Sequence, residues 1–312
     1  RRILAILAAA VLGIAAVGLG SARPNGAEAT RDEVGQLVVP ELDERIDELG
    51  LIMVTTAYES YHLVRDPQGW VMTEKGGYPV ANARIGALVE AVASMRYAEA
   101  MTRDARKFDL IGVGDPLSGG TGALLEIGNG RGDVYAKLIV GYRSGRSYVR
   151  WPDDLQTWAV ETDAAMPPLQ RATAWLDLDP VDAVRARISQ VEVSPLLGEA
   201  YRLTPVDPEG QAFELAAPHT DRRVLVPFTL SMVGGAISTL SPLDVAPASV
   251  TNGASLGGRH VTRLDDGVMV ETTAFRTADR GWITISAFAD EGASDAAQRG
   301  AREIDDAAAG WA

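Results

Sequence analysis

A pattern met at Leu51–Thr56 returns at Ile188–Val193, and the segments downstream of each copy recur in the same order, at an offset of roughly 140 residues. Tyr61-His62-Leu63-Val64-Arg65-Asp66-Pro67-Gln68-Gly69 is matched by Tyr201-Arg202-Leu203-Thr204-Pro205-Val206-Asp207-Pro208-Glu209-Gly210, with one insertion. An apolar helical face at Ile85, Leu88, Val89, Val92 and Met95 is answered by Leu230, Val233, Ile237 and Leu240. Each copy therefore begins with a buried strand and a hairpin and continues with a helix and further strands. The hairpin turns carry Asp-Pro-Gln-Gly at 66–69, Gly-Asn-Gly at 128–130, Ser-Gly at 144–145 and Asp-Asp-Gly at 265–267. The fold expected is α+β: two tandem similar modules, residues 38–187 and 188–312, each an antiparallel sheet packed with helices.

Shorter elements complete the expectation. Asn82 is placed as the cap of a helix over 82–97, with a second short helix at 102–110 and strands at 122–127, 134–141, 147–151 and 157–161. Asp179-Pro180 opens a further short helix to about Arg187, and 294–311 forms the last helix.

Ahead of the modules stands an uncharged run, Ile3–Gly20, preceded by Arg1 and Arg2. Eighteen helical residues span about 27 Å, close to the hydrocarbon thickness of a bilayer. Residues 1–22 are read as a single N-terminal signal-anchor transmembrane helix, with the arginines on the cytoplasmic side and the body outside it. Ala8, Gly13, Gly18 and Gly20 offer close packing against other membrane helices. A cleaved signal peptide is the alternative, with small residues at Gly20-Ser21-Ala22 and Ala27-Glu28-Ala29. Residues 23–37 are read as a linker.

The chain contains no cysteine, which excludes a lipid-modified cysteine and disulfide stapling, so a buried core must supply the stability. A net charge of −13 argues against nucleic acid as a partner. The inventory for catalysis is thin. His62, His219 and His260 lie in different elements and make no metal-ligand spacing. Glu41, Asp43, Glu44, Asp47 and Glu48 read as the solvated face of a helix whose other face is Leu42, Ile46 and Leu49. Asp177-Leu178-Asp179-Pro180-Val181-Asp182 lacks the glycine and distal glutamate of a calcium loop. Ser118-Gly119-Gly120-Thr121-Gly122 lacks the lysine of a phosphate loop and reads as a flexible connection. Trp70, Trp151, Trp158, Trp175 and Trp282 read as core residues before a glycan platform. No catalytic residue, cofactor or metal is assigned, and the chain is read as not an enzyme.

In order along the chain, several short motifs resemble the bacterial family catalogued as domain of unknown function 4340. They are Val39-Pro40-Glu41-Leu42, Gly69-Trp70, Gly77-Tyr78-Pro79-Val80, Asp115-Pro116, Leu138-Ile139-Val140-Gly141 and Ser147-Tyr148-Val149-Arg150. Trp158, Trp175-Leu176-Asp177 and Ala309-Gly310-Trp311-Ala312 complete the set. The resemblance implies a setting similar to the auxiliary components of gliding-motility-type ABC transporters. The expectation is a non-enzymatic, membrane-anchored extracytoplasmic accessory subunit of an ABC-type transport complex. Its partners would be the integral membrane subunits, an ABC permease and the associated auxiliary protein, with the lipid bilayer contacted through residues 3–20. It would sit at the bacterial inner membrane with its body in the periplasm. The alternative is a periplasmic ligand- or glycan-binding sensor.

Overall fold

The computed structural model describes residues 33–178, 181, 184–217, 224 and 226–312. The chain divides into two compact units, one ending at Leu176 and one beginning at Asp177.

In the first unit β1 (Leu51–Thr55) lies near the middle of a nine-stranded sheet. On one side come β2 (Ser60–Asp66), β3 (Gly69–Met72) and β4 (Tyr78–Pro79). The helix α1 (Asn82–Ala93) and strand β5 (Arg96–Ala100) come next in sequence. Beside β1 on its other flank run β6 (Ala123–Gly128), β7 (Val134–Arg143), β8 (Arg146–Arg150) and β9 (Trp158–Glu161), and β5 closes the far edge. Every pairing is antiparallel. The turns explain the register. The Asp66 carboxylate accepts the backbone N–H groups of Gln68 (2.8 Å) and Gly69 (2.9 Å). Ser144 and Gly145 both have positive φ, the backbone that a two-residue hairpin between twisted strands requires.

Burial in β1 alternates, so one face of the sheet is core and the other is partly open. Ile52, Val54, Tyr61, Leu63, Met72, Leu125, Ile127 and Leu138 are fully buried. α1 buries Ile85, Leu88, Val89 and Val92. Its start is tied to the end of the unit: Ala81 N–H donates to the Trp175 carbonyl (3.0 Å), and Trp175 Nε1 donates to the Tyr61 hydroxyl (2.8 Å). Tyr61 donates its own proton to the Leu169 carbonyl (2.8 Å). Burial raises the Tyr61 pKa, so the phenol stays neutral and both bonds persist.

On the opposite face the described residues form a cover from β6 onward. There Phe108, Val113, Leu124, Ile139, Tyr148 and Ala159 form a small second core under the segment 101–122. Close backbone approach makes this possible. A Cβ on Gly141 would stand 2.2 Å from the Gly112 carbonyl oxygen, and one on Gly122 would stand 2.5 Å from that of Gly114. The glycine-rich stretch expected to be a flexible connection is thus a packed cover, and glycine is the residue that permits it.

The second unit holds a six-stranded sheet. β10 (Ile188–Pro195) pairs with β11 (Tyr201–Pro205), which pairs with β12 (Phe213–Leu215). After α2 (Pro227–Gly234), β13 (Ser255–Leu264) returns to the other side of β10, and β14 (Val268–Arg276) and β15 (Gly281–Ala289) extend that side. The order β12-β11-β10-β13-β14-β15 is that of β3-β2-β1-β6-β7-β8 in the first sheet. Val191, Leu203, Phe213, Ile237, Leu264, Val270, Ala297 and Ala301 belong to its core, the last two from α3 (Asp295–Ala308).

The α+β expectation is corrected. The described residues are mostly antiparallel sheet, in two sheets, with few helices. The helices read over the acidic run 41–48 and over 102–110 are short 3-10 segments, Asp43–Glu48 and Ala105–Leu110, and the helix read through 230–240 is α-helical only over Pro227–Gly234, with a 3-10 segment at Ala236–Thr239 after it. The helix expected over 82–97 stops at Ala93, where the Ser94 hydroxyl donates back to the Glu90 carbonyl (2.7 Å), and the chain then enters β5. Asn82 is its first residue, not its cap. The last helix ends at Ala308. The part of the fold-class expectation that placed a single N-terminal transmembrane helix is not matched: among the described residues no helix is long and apolar enough to cross a membrane. Residues 1–22, with Ala8, Gly13, Gly18 and Gly20, lie outside the described residues, as does most of the 23–37 linker. The described end of that stretch pairs with the sheet: Gly35 N–H donates to the Tyr97 carbonyl and Leu37 bridges Arg96.

Candidate functional site

The residues flagged in the sequence are dispersed. His62 lies on β2 and His260 on β13, while His219 lies outside the described residues. Asp179, Pro180 and Asp182 also lie outside them. The described residues hold no group of three or more histidine and acidic side chains placed to bind a metal. The acidic run at 41–48 is exposed around a 3-10 turn, with Leu42 and Leu49 buried beneath it. Trp158 and Trp175 are buried, and Trp70, Trp151 and Trp282 are half-buried. Tyr97 packs on Trp158 with ring centroids 4.7 Å apart, and its hydroxyl accepts from Trp151 Nε1 (3.0 Å).

Three arrangements carry chemistry. The first is a polar row on the open half of the first sheet's outer face. His62 stands opposite Met53, Met53 opposite Glu126, and Glu126 opposite Lys137. Lys137 Nζ lies 3.1 Å from Glu126. His62 Nδ1 contacts Glu74 Oε1 at 2.5 Å, and the His62 backbone N–H donates to Glu74 Oε2 at 2.8 Å. The side-chain hydrogen bond to Glu74 raises the imidazole pKa against the opposing effect of burial, and the Glu126 charge adds to the rise. For Glu74 burial pushes upward, but the bonds from His62 outweigh it and the carboxyl titrates lower than usual. Chemically this is a proton-exchanging pair that pins the 3-10 turn Thr73–Lys75 onto β2.

The second is Arg150, a cation 5% exposed. Its Nε donates to the Val113 carbonyl (3.1 Å), and Nη1 to those of Trp151 (3.2 Å) and Pro152 (2.9 Å). The guanidinium carbon lies 4.8 Å from the centre of the Phe108 ring. Desolvation lowers its pKa, and the charges of Asp115, Asp154 and Asp153 oppose that. Arg150 holds the 101–122 cover against β8 and is thus part of the scaffold.

The third is α2. Leu230 and Val233 pack into the core of the second unit. Phe228 and Met232, one turn apart on another flank, are 71% and 57% exposed, and Val226 beside them is 57% exposed. A helix apolar on both flanks is normally buried on both. Sequence reasoning misses this flank because the apolar period picks out only the core-facing stripe. The signal is present: Phe228 and Met232 sit at i, i+4, out of phase with Leu230 and Val233.

The model of the family described as domain of unknown function (DUF4340) matches residues 70–229, just over half of the chain. The matched stretch runs from β3 into α2. No curated protein and no solved structure matches the chain.

Proposed function

The chain belongs to the family described as domain of unknown function (DUF4340), and from that premise we propose that it is a non-enzymatic, membrane-anchored extracytoplasmic accessory subunit of an ABC-type transport complex. The observation that carries the reading is the exposed apolar flank of α2, Val226, Phe228 and Met232. Such side chains cost free energy in water, and their burial against a partner returns about 25 cal/mol per Å². The partner is a subunit of the transporter, and the body meets it in the periplasm beside the inner membrane.

The test is affinity purification of the full chain from native membranes in mild detergent, with partners identified by mass spectrometry. An ABC permease and its ATPase are expected to co-purify. Phe228→Glu with Met232→Glu is expected to lower their recovery at least about tenfold while thermal stability moves by no more than about 0.5 kcal/mol, as for exposed positions. Recovery of the chain alone, or unchanged recovery of partners with the double variant, refutes the reading.

A further inference from the structure

Tyr58 is the most exposed large hydrophobic side chain among the described residues, at 92%, yet the turn that carries it is fixed. The Thr56 hydroxyl oxygen accepts the N–H groups of Tyr58 (3.2 Å) and Glu59 (3.1 Å), and its proton goes to the Glu59 carbonyl (3.0 Å). Thr56 N–H donates to the same carbonyl at 2.9 Å. The backbone that carries the ring is therefore fixed, and the ring itself stands exposed beyond the sheet.

Facing it is a second rigid wall. Glu59 Oε1 accepts the Ala172 N–H (2.9 Å), and the Leu169 carbonyl is held by the Tyr61 hydroxyl (2.8 Å). Between these two anchors Gln170 and Arg171 are exposed, and Thr173 just beyond them is half-buried. Tyr58, Glu59, Gln170, Arg171 and Thr173 line an open surface depression of about 520 Å³.

The lining chemistry narrows the ligand. One aromatic face stands beside an amide, a guanidinium, a hydroxyl and a carboxylate, which together supply both donors and acceptors. A pyranose presents one flat face of C–H bonds and a rim of hydroxyl groups that donate and accept. The ring takes the C–H face and the polar side chains take the rim. We propose that the cleft between the β1–β2 turn and residues 170–173 is a saccharide-binding site, with Tyr58 as its stacking platform. The site goes beyond the docking role of α2 and stands independently of it.

The experiment uses the full chain in a sugar-free detergent, titrated with chitotetraose and cellotetraose and followed by calorimetry. Saturable millimolar or tighter binding of at least one is expected. Tyr58→Ala is expected to weaken it about tenfold, Tyr58→Phe to retain it because the ring remains, and Gln170→Ala to weaken it. Tyr58 is exposed, so thermal denaturation is expected to match the wild type in each variant. Absence of saturable binding by either sugar, or binding that Tyr58→Ala leaves unchanged, overturns the proposal. Partner recovery through α2 is unaffected by Tyr58→Ala, which separates the two readings.

Discussion

Glu74 and His62 lie twelve residues apart across a hairpin and meet only because β2 and the turn after β3 fold onto one another. The sequence exposes each residue but not the pair, since no spacing rule links a strand histidine to a glutamate in a later 3-10 turn. The pairing has a signed consequence. The His62 pKa is raised, so its contribution is full below its ordinary value and is lost as pH rises through the raised one. The Glu74 pKa is lowered, so its contribution is full above its ordinary value and is lost as pH falls through the lowered one. The pair therefore stabilises most between about pH 4.5 and 6.5. Glu74→Gln is expected to cost about 0.5–1 kcal/mol there, after screening of a pair about one-third exposed, and less at pH 8. His260 behaves oppositely. Burial lowers its pKa, Nε2 donates to the Val233 carbonyl (2.9 Å), and Nδ1 lies 3.4 Å from the Thr262 hydroxyl. Below about pH 6.5 the unfolded chain takes up this proton first, so stability falls as pH falls toward the lowered native value. The slope is at most about 1.4 kcal/mol per pH unit. Because the two histidines oppose one another, a global melt blurs them. Hydrogen exchange read separately in β2 and β13 is expected to resolve the two trends, and identical trends in both strands refute this assignment.

At the scale of elements, apolar strands flanked by turns with asparagine, aspartate or glycine are legible, as β1, β2, β6, β7, β13 and β14 show. The edge strand β5 is not. Its sequence Arg-Tyr-Ala-Glu-Ala has no period-two pattern, and Met95 continues the apolar period of α1, so the pattern runs on as helix into the strand. β12 is three residues long, too short for any period to register. The helix expected through 230–240 breaks at two glycines. A Cβ on Gly234 would overlap the Phe213 ring, and one on Gly235 would overlap the Arg185 guanidinium. Glycines of the two kinds separate experimentally. Gly141→Ala forces a methyl into the Gly112 backbone and is expected to destabilise by at least about 1–3 kcal/mol. Gly300→Ala lies inside α3 with nothing within 4 Å and is expected to stabilise by about 0.5–1 kcal/mol. Urea midpoints at constant m measure both, and a stabilising Gly141→Ala removes the packed-cover account of residues 101–122.

For the whole molecule the shared strand order has an energetic meaning. In each sheet the first strand of the unit sits inside, a hairpin grows to one side, and after a helix the chain returns to the other side. The recurrence at roughly 140 residues in the sequence belongs with this arrangement, because turn residues and buried strands recur where the topology demands them. The functional cleft is not legible in the same way. Tyr58 and Gln170 are far apart in the chain, and only the closing of the first unit through Tyr61, Leu169 and Trp175 brings them to one surface. The second unit carries its own core: Ile188, Val191, Leu203, Phe213, Ile237, Leu264, Val268, Val270, Ala287, Ala297 and Ala301 form one cluster drawn entirely from residues after Asp177. On the edge strand β15 the Asp305 carboxylate of α3 accepts the Ala287 N–H (3.0 Å). A segment of this size with a contiguous core is long enough to fold without further covalent support. Residues 177–312 expressed alone are therefore expected to give dispersed amide resonances and one cooperative urea transition. Ala301→Asp in that fragment buries a carboxylate at a position 2% exposed and is expected to abolish the transition. A collapsed spectrum from the unsubstituted fragment would mean that its stability is borrowed from the residues before Asp177, and the core cluster would then be insufficient on its own.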